Sequence, residues 1–96
     1  MYGTVARIRV KSGLEIQFQE IARRIGVGRA PGQVAVYAYQ MDRNPREFIL
    51  VALFESKEAY VANAQSPEQH ERFTELMQVL ETEPEWNDGE VVYITG

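Results

Sequence analysis

One histidine and no cysteine among 96 residues leave this chain few ways to do chemistry. Without cysteine there is no thiol nucleophile, no thiolate metal site and no disulfide. A single histidine makes neither a zinc cluster nor a serine triad within one chain, and no Gly-x-Ser-x-Gly elbow occurs. Gly26-Val27-Gly28 runs into Arg29-Ala30-Pro31 instead of a third glycine and a helix, so no phosphate-cradling loop is expected. His70 is then the only side chain whose ordinary pKa suits proton transfer near neutrality. It falls one turn into a helical stretch, at the edge of an apolar stripe of Phe73, Met77 and Leu80. It is either a general base or hydrogen-bonding group at a pocket mouth, or a partly exposed surface histidine.

The remaining candidates are polar groups on apolar bodies. Asn63, near the end of a short helix, either orients a substrate oxygen or caps that helix, since asparagine tolerates left-handed geometry. Tyr37, Tyr39 and Tyr60 carry polar tips on aromatic rings, which suits a mainly apolar small-molecule pocket and equally a core or subunit seam. Phe54 and Met77 complete the lining candidates, and Trp86 either covers a cavity or packs a loop on a helix end.

The elements that must position these residues can be read from changes of period. Thr4 to Lys11 alternates, with Ala6, Ile8 and Val10 on one face, as a strand does. Ser12 is placed as an N-cap before a helical stripe of Leu14, Phe18, Ile21, Ala22 and Ile25, with Gly26 as its left-handed C-cap. After a loop around Pro31, Gln33 to Met41 is a second strand; Val34, Val36 and Ala38 face one way and Ala35, Tyr37, Tyr39 and Met41 the other. Asp42-Arg43-Asn44-Pro45 turns the chain into Phe48 to Phe54, an apolar run without a polar residue. Ser56 starts a short helix, Ser66-Pro67-Glu68-Gln69 starts another with a capping box, and Glu90 to Thr95 is a last strand.

The order βαββαβ is ferredoxin-like α+β: a four-stranded antiparallel sheet with helices on one face, in one domain over residues 1–96. An unbroken apolar strand needs cover on both faces, and the helices supply only one. A second copy of the chain, packed sheet on sheet, is the economical cover. A chain of this length buries only roughly 60–65 % of its unfolded surface and gains from such pairing.

Ten basic against fourteen acidic residues give a net charge of −4, which argues against nucleic-acid partners and anionic membrane surfaces. No stretch is apolar enough to span a membrane, and the first residues lack a signal-peptide pattern, so a cytoplasmic protein is expected.

The chain resembles the antibiotic biosynthesis monooxygenase superfamily of dimeric α+β barrels. The resemblance rests on Pro31-Gly32 before the second strand, Asp42-Arg43-Asn44-Pro45 before the apolar strand, and Phe54-Glu55-Ser56-Lys57-Glu58-Ala59-Tyr60-Val61-Ala62-Asn63 running into Ser66-Pro67. It implies a homodimer with an apolar pocket between sheet and helices in each subunit. It also implies a cofactor-independent monooxygenase, without metal or flavin, acting with oxygen on a small aromatic, quinol or anthrone substrate. His70 and Asn63 would then serve proton transfer and oxygen positioning, with Tyr37, Tyr39, Phe54, Tyr60 and Met77 as lining. Phe54 stands where many members carry tryptophan and Asn63 where many carry histidine. The haem-degrading branch is less similar: Ala6, Phe54 and Phe73 replace its asparagine, tryptophan and histidine, so no haem degradation is expected. The alternatives are a non-catalytic small-ligand-binding or dimerisation module, and an oxygen-independent isomerase on the same scaffold.

Overall fold

The computed structural model describes residues 1–96, the side chains of residues 26 and 27 excepted. Its elements are β1 (Tyr2–Arg9), α1 (Glu15–Val27), β2 (Gln33–Gln40), β3 (Glu47–Phe54), α2 (Lys57–Ala64), α3 (Pro67–Met77) and β4 (Asp88–Glu90). The four strands form one antiparallel sheet in the order β2-β3-β1-β4. This is the ferredoxin-like α+β arrangement that the periodicity predicts. Among the described residues no helix is long and apolar enough to cross a membrane.

Alternation sets the inward face of β1: Thr4, Ala6 and Ile8 are buried, while Val5, Arg7 and Arg9 point away. Register carries that face across the sheet. Ile8, Ala6 and Thr4 lie opposite Phe48, Leu50 and Ala52 of β3, and Ala52 lies opposite Val36 of β2. The core forms where this face meets Phe18, Ile21 and Ala22 of α1, with Leu76, Val79 and Leu80 beside them. Phe18 packs on Phe48 with ring centroids 4.5 Å apart.

Three local expectations are corrected. Ser12 does not cap α1. The Leu14 N–H donates to Lys11 O at 3.0 Å, so Ser12 and Gly13 form the middle of a tight turn, with Gly13 at φ 84°. The helix therefore starts at Glu15, with Leu14 as N-cap residue and no side-chain cap. Nor does Gly26 end α1: the helix continues to Val27, and Gly28, at φ −76°, donates its N–H to Arg24 O. The last strand is the three residues Asp88–Glu90 instead of residues 90–95. Glu90 already lies opposite Tyr2, so Val92 to Ile94 have no β1 residue left to pair with and stand exposed. β-Propensity without a partner strand makes no ladder.

The two serine caps form as expected. Ser56 Oγ accepts from the Ala59 N–H and Ser66 Oγ from the Gln69 N–H, both at 3.1 Å, with Pro67 opening α3. Gln69 does not close the capping box, because its side-chain oxygen accepts instead from the Asn63 amide at 3.3 Å. The loop before β2 turns at Pro31-Gly32, where Gly32 takes φ 78° and Gln33 N–H reaches Ala30 O at 3.0 Å.

β3 is apolar on both sides for two different reasons. Phe48, Leu50 and Phe54 face the helices and are buried by them. Ile49, Val51 and Leu53 face away, onto a side with no helix; there Val51 sits between Val5 and Tyr37 by register. Val5, Tyr37 and Tyr39 are exposed on that same side, so an apolar sheet face stands open.

Candidate functional site

Between the inward face of the sheet and the helices lies a cavity of about 410 Å³. Its floor is Thr4, Val36, Leu50, Ala52 and Phe54, one residue or more from each of the three long strands. Ile25 of α1, Tyr60 and Asn63 of α2, and His70, Phe73 and Leu76 of α3 form its roof, with Gln33, Gln69, Arg72, Trp86 and Asp88 around the sides. The lining is mainly apolar with a few polar groups, the usual character of a small-molecule site.

Each polar group is held by its local fold. The corner between α2 and α3 is fixed because Asn63 O accepts from both the N–H and the hydroxyl of Ser66, at 3.0 and 2.8 Å. That corner sets the Asn63 side chain against Gln69, where one amide N–H is used and the carbonyl oxygen and second N–H have no partner among the described residues. Asn63 is not the helix cap; Gln65 occupies that position with right-handed geometry. His70 follows one turn after the Ser66 cap and is exposed at the cavity's mouth.

Tyr60 crosses from α2 toward the β4 side. Its ring stands edge-on to Phe54, with centroids 5.7 Å apart, and to Tyr2 at 5.3 Å. Its hydroxyl donates to Asp88 Oδ1 at 2.8 Å. Burial pushes the Tyr60 pKa up to about 12, helped by the bond to Asp88 and that residue's negative charge, while the Thr4 hydroxyl works the other way. Thr4 is 3 % exposed, and its hydroxyl lies toward the Tyr60 oxygen but makes no hydrogen bond of good geometry among the described residues. On the α1 side, Arg72 donates to Gly28 O at 3.3 Å. Trp86 both lines the cavity and packs on Phe73, with ring centroids 6.2 Å apart, so the two roles weighed for it coexist.

Of the residues singled out by sequence, the fold gathers His70, Asn63, Phe54 and Tyr60 around one cavity. It does not bring Tyr37, Tyr39 or Met77 there. Tyr37 and Tyr39 lie opposite Val51 and Ile49, on the open sheet face and 55 % and 59 % exposed. The face of β2 that looks into the cavity is the one bearing Val36. Met77 packs against the core, since Leu76 takes the inward position at the end of α3. Sequence reasoning missed Thr4 and Asp88. The one available signal was that Thr4 is the polar residue on an inward face otherwise made of Ala6, Ile8 and Val10; nothing in the sequence marks Asp88, which the β1–β4 ladder sets opposite it.

Among known proteins, the family model described as antibiotic biosynthesis monooxygenase matches residues 1–76. No curated protein matches the chain. Solved structures share its fold at low identity. SnoaB from Streptomyces nogalater, a cofactor-independent oxygenase solved as a point mutant, superposes with a TM-score of 0.85 at 17% identity, covering 97% of this chain and 94% of that one. A protein from Nitrosomonas europaea assigned to the antibiotic biosynthesis monooxygenases gives 0.83 at 18% identity, over 97% of this chain and 100% of its own. A conserved protein from Methanosarcina mazei Go1 gives 0.80 at 20% identity, over 92% and 89%. With the family match spanning most of the sequence and the fold agreeing along nearly all of it, the chain belongs to the antibiotic biosynthesis monooxygenase family.

Proposed function

We propose that this protein is a monooxygenase that uses molecular oxygen, without metal or flavin, on a small phenol, quinol or anthrone held in the cavity between sheet and helices. The observation that carries the reading is the cavity itself: apolar walls of Leu50, Phe54 and Phe73 interrupted by the polar groups of Asn63, His70 and the Tyr60–Asp88 pair. The electron balance suits such a site. An anthrone methylene reacts with O₂ to give a ketone and water, so the substrate supplies all four electrons and no outside reductant is needed. The chain's part is to bind the substrate away from water, remove a proton, and orient the resulting anion. His70 accepts that proton at the mouth, and the free amide N–H of Asn63 holds the developing oxyanion.

An oxygen electrode with metal-stripped protein and a panel of hydroquinones, anthrones and polyphenols tests this. Uptake that saturates with substrate and exceeds autoxidation is expected. Turnover of a panel member without oxygen uptake contradicts the reading and favours an isomerase; ligand binding with no turnover across the panel favours a binding module.

We further infer that two copies pair through the open sheet face. Val5, Tyr37 and Tyr39 are exposed, Ile49 and Leu53 half-buried and Val51 buried beneath them, an apolar surface bordered by Arg7 that a monomer would leave largely in water. Light scattering should give about twice the 11.0 kDa chain mass. Tyr37→Asp puts a charge on a residue already exposed within one chain, so it should leave the fold intact and raise the dimer dissociation constant at least about tenfold. A monomeric native protein, or an unaltered Tyr37→Asp dimer, contradicts this pairing.

A further inference from the structure

We propose that the β4 end of the cavity is a recognition point for one neutral hydroxyl group, built from Thr4, Tyr60 and Asp88, and that it selects hydroxylated aromatic ligands over their methyl ethers and over carboxylates. The proposal rests on the reading of the cavity as the binding site and adds the chemistry that this end recognises.

The three residues meet for a reason in the fold. Thr4 and Asp88 are direct cross-strand partners in the β1–β4 ladder, and Tyr60 reaches them from α2. Their hydrogen-bonding capacities are complementary. A tyrosine hydroxyl has one proton, and Tyr60 gives it to Asp88 Oδ1 at 2.8 Å. What Tyr60 can still offer the cavity is oxygen lone pairs, so it is an acceptor. The raised pKa of Tyr60 keeps that proton in place well above neutral pH.

Thr4 supplies the missing half. Its hydroxyl is buried and without a hydrogen bond of good geometry among the described residues, a condition that native interiors rarely tolerate unless a ligand or water completes it. Thr4 and Tyr60 both line this end of the cavity, and the Thr4 hydroxyl favours the Tyr60 anion. A hydroxyl that donates to Tyr60 and accepts from Thr4 satisfies the pair at once. A methyl ether has no proton for Tyr60. A carboxylate only accepts, and it would do so beside the negative charge of Asp88.

Isothermal titration calorimetry with 1-naphthol, 1-methoxynaphthalene and 1-naphthoate tests the assignment. 1-Naphthol should bind about tenfold more tightly than its methyl ether, the usual worth of one buried hydrogen bond, and 1-naphthoate weakest of the three. Thr4→Val keeps the branched shape and removes the hydroxyl. It should bring naphthol and ether to within about twofold of each other while raising the melting temperature, because a buried unmet hydroxyl has gone. Thr4→Ser should retain the preference, and Tyr60→Phe should lose it. Equal binding of naphthol and ether to the native protein, or a preference that survives Thr4→Val, overturns the recognition point and leaves the cavity reading standing. Failure of all three probes to bind overturns the cavity reading, and this assignment with it.

Discussion

Replacing His70 with alanine should lower kcat/KM for oxygen uptake with an anthrone by about 100-fold, the lower end of what a positioned general base contributes. The expectation follows from the short inventory of proton acceptors in the lining. Asp88 is engaged with the Tyr60 hydroxyl and the Arg72 guanidinium only donates, which leaves the imidazole of His70 as the open proton acceptor in the lining. His70 stands at the mouth on α3 and is exposed, so alanine there removes little packing. The loss should therefore fall on kcat, with 1-naphthol affinity changed no more than about twofold. A rate unchanged by His70→Ala would remove the histidine from the mechanism and leave the Tyr60–Asp88 pair to handle the proton.

The largest effect on stability should come from a residue outside the cavity. Phe18→Ala is expected to cost about 3–5 kcal/mol. Phe18 is fully buried, holds α1 on the sheet, and packs its ring on Phe48 at 4.5 Å. Alanine there leaves a void beneath the helix that the strands cannot close without disturbing register. Small domains have only about 5–15 kcal/mol in total, so the loss is a large share. Urea unfolding should show a lower midpoint with an unaltered slope. A shift worth less than about 1 kcal/mol would mean that α1 is not anchored through this residue. Thr4→Val should move stability the opposite way, since it removes an unmet polar group instead of a packed one.

The reach of the sequence reading follows from which interactions are local. Periodicity found β1, α1, β2, β3 and α3, because burial on one face writes a period of two or 3.6 into the residues themselves. Ser56 and Ser66 were legible as caps because a cap acts within one turn. Ser12 looked the same but was already committed to the turn around Gly13, which depends on the exit of β1. Val91 to Thr95 have strand composition, yet strand formation needs a neighbour, and the register with β1 runs out first.

The site was half legible for the same reason. Tyr60 and Asn63 could be placed on one short helix and His70 on the next. For Tyr37 and Tyr39, alternation separates the two faces of β2 without saying which of them meets the helices. Register across β3 decides that, and it turns both tyrosines outward. Thr4 and Asp88 are 84 residues apart in sequence and become neighbours only through the β1–β4 ladder. No local pattern marks such a pair.

The central claim is that the cavity oxidises its substrate with both oxygen atoms of O₂ accounted for: one in the product ketone and one in water. Turnover of an anthrone under oxygen-18 gas by metal-stripped protein, followed by mass spectrometry of the quinone, reads this directly. One labelled oxygen atom per newly formed carbonyl is expected. Product formed at the protein-catalysed rate without label, its new oxygen drawn from solvent, would contradict it.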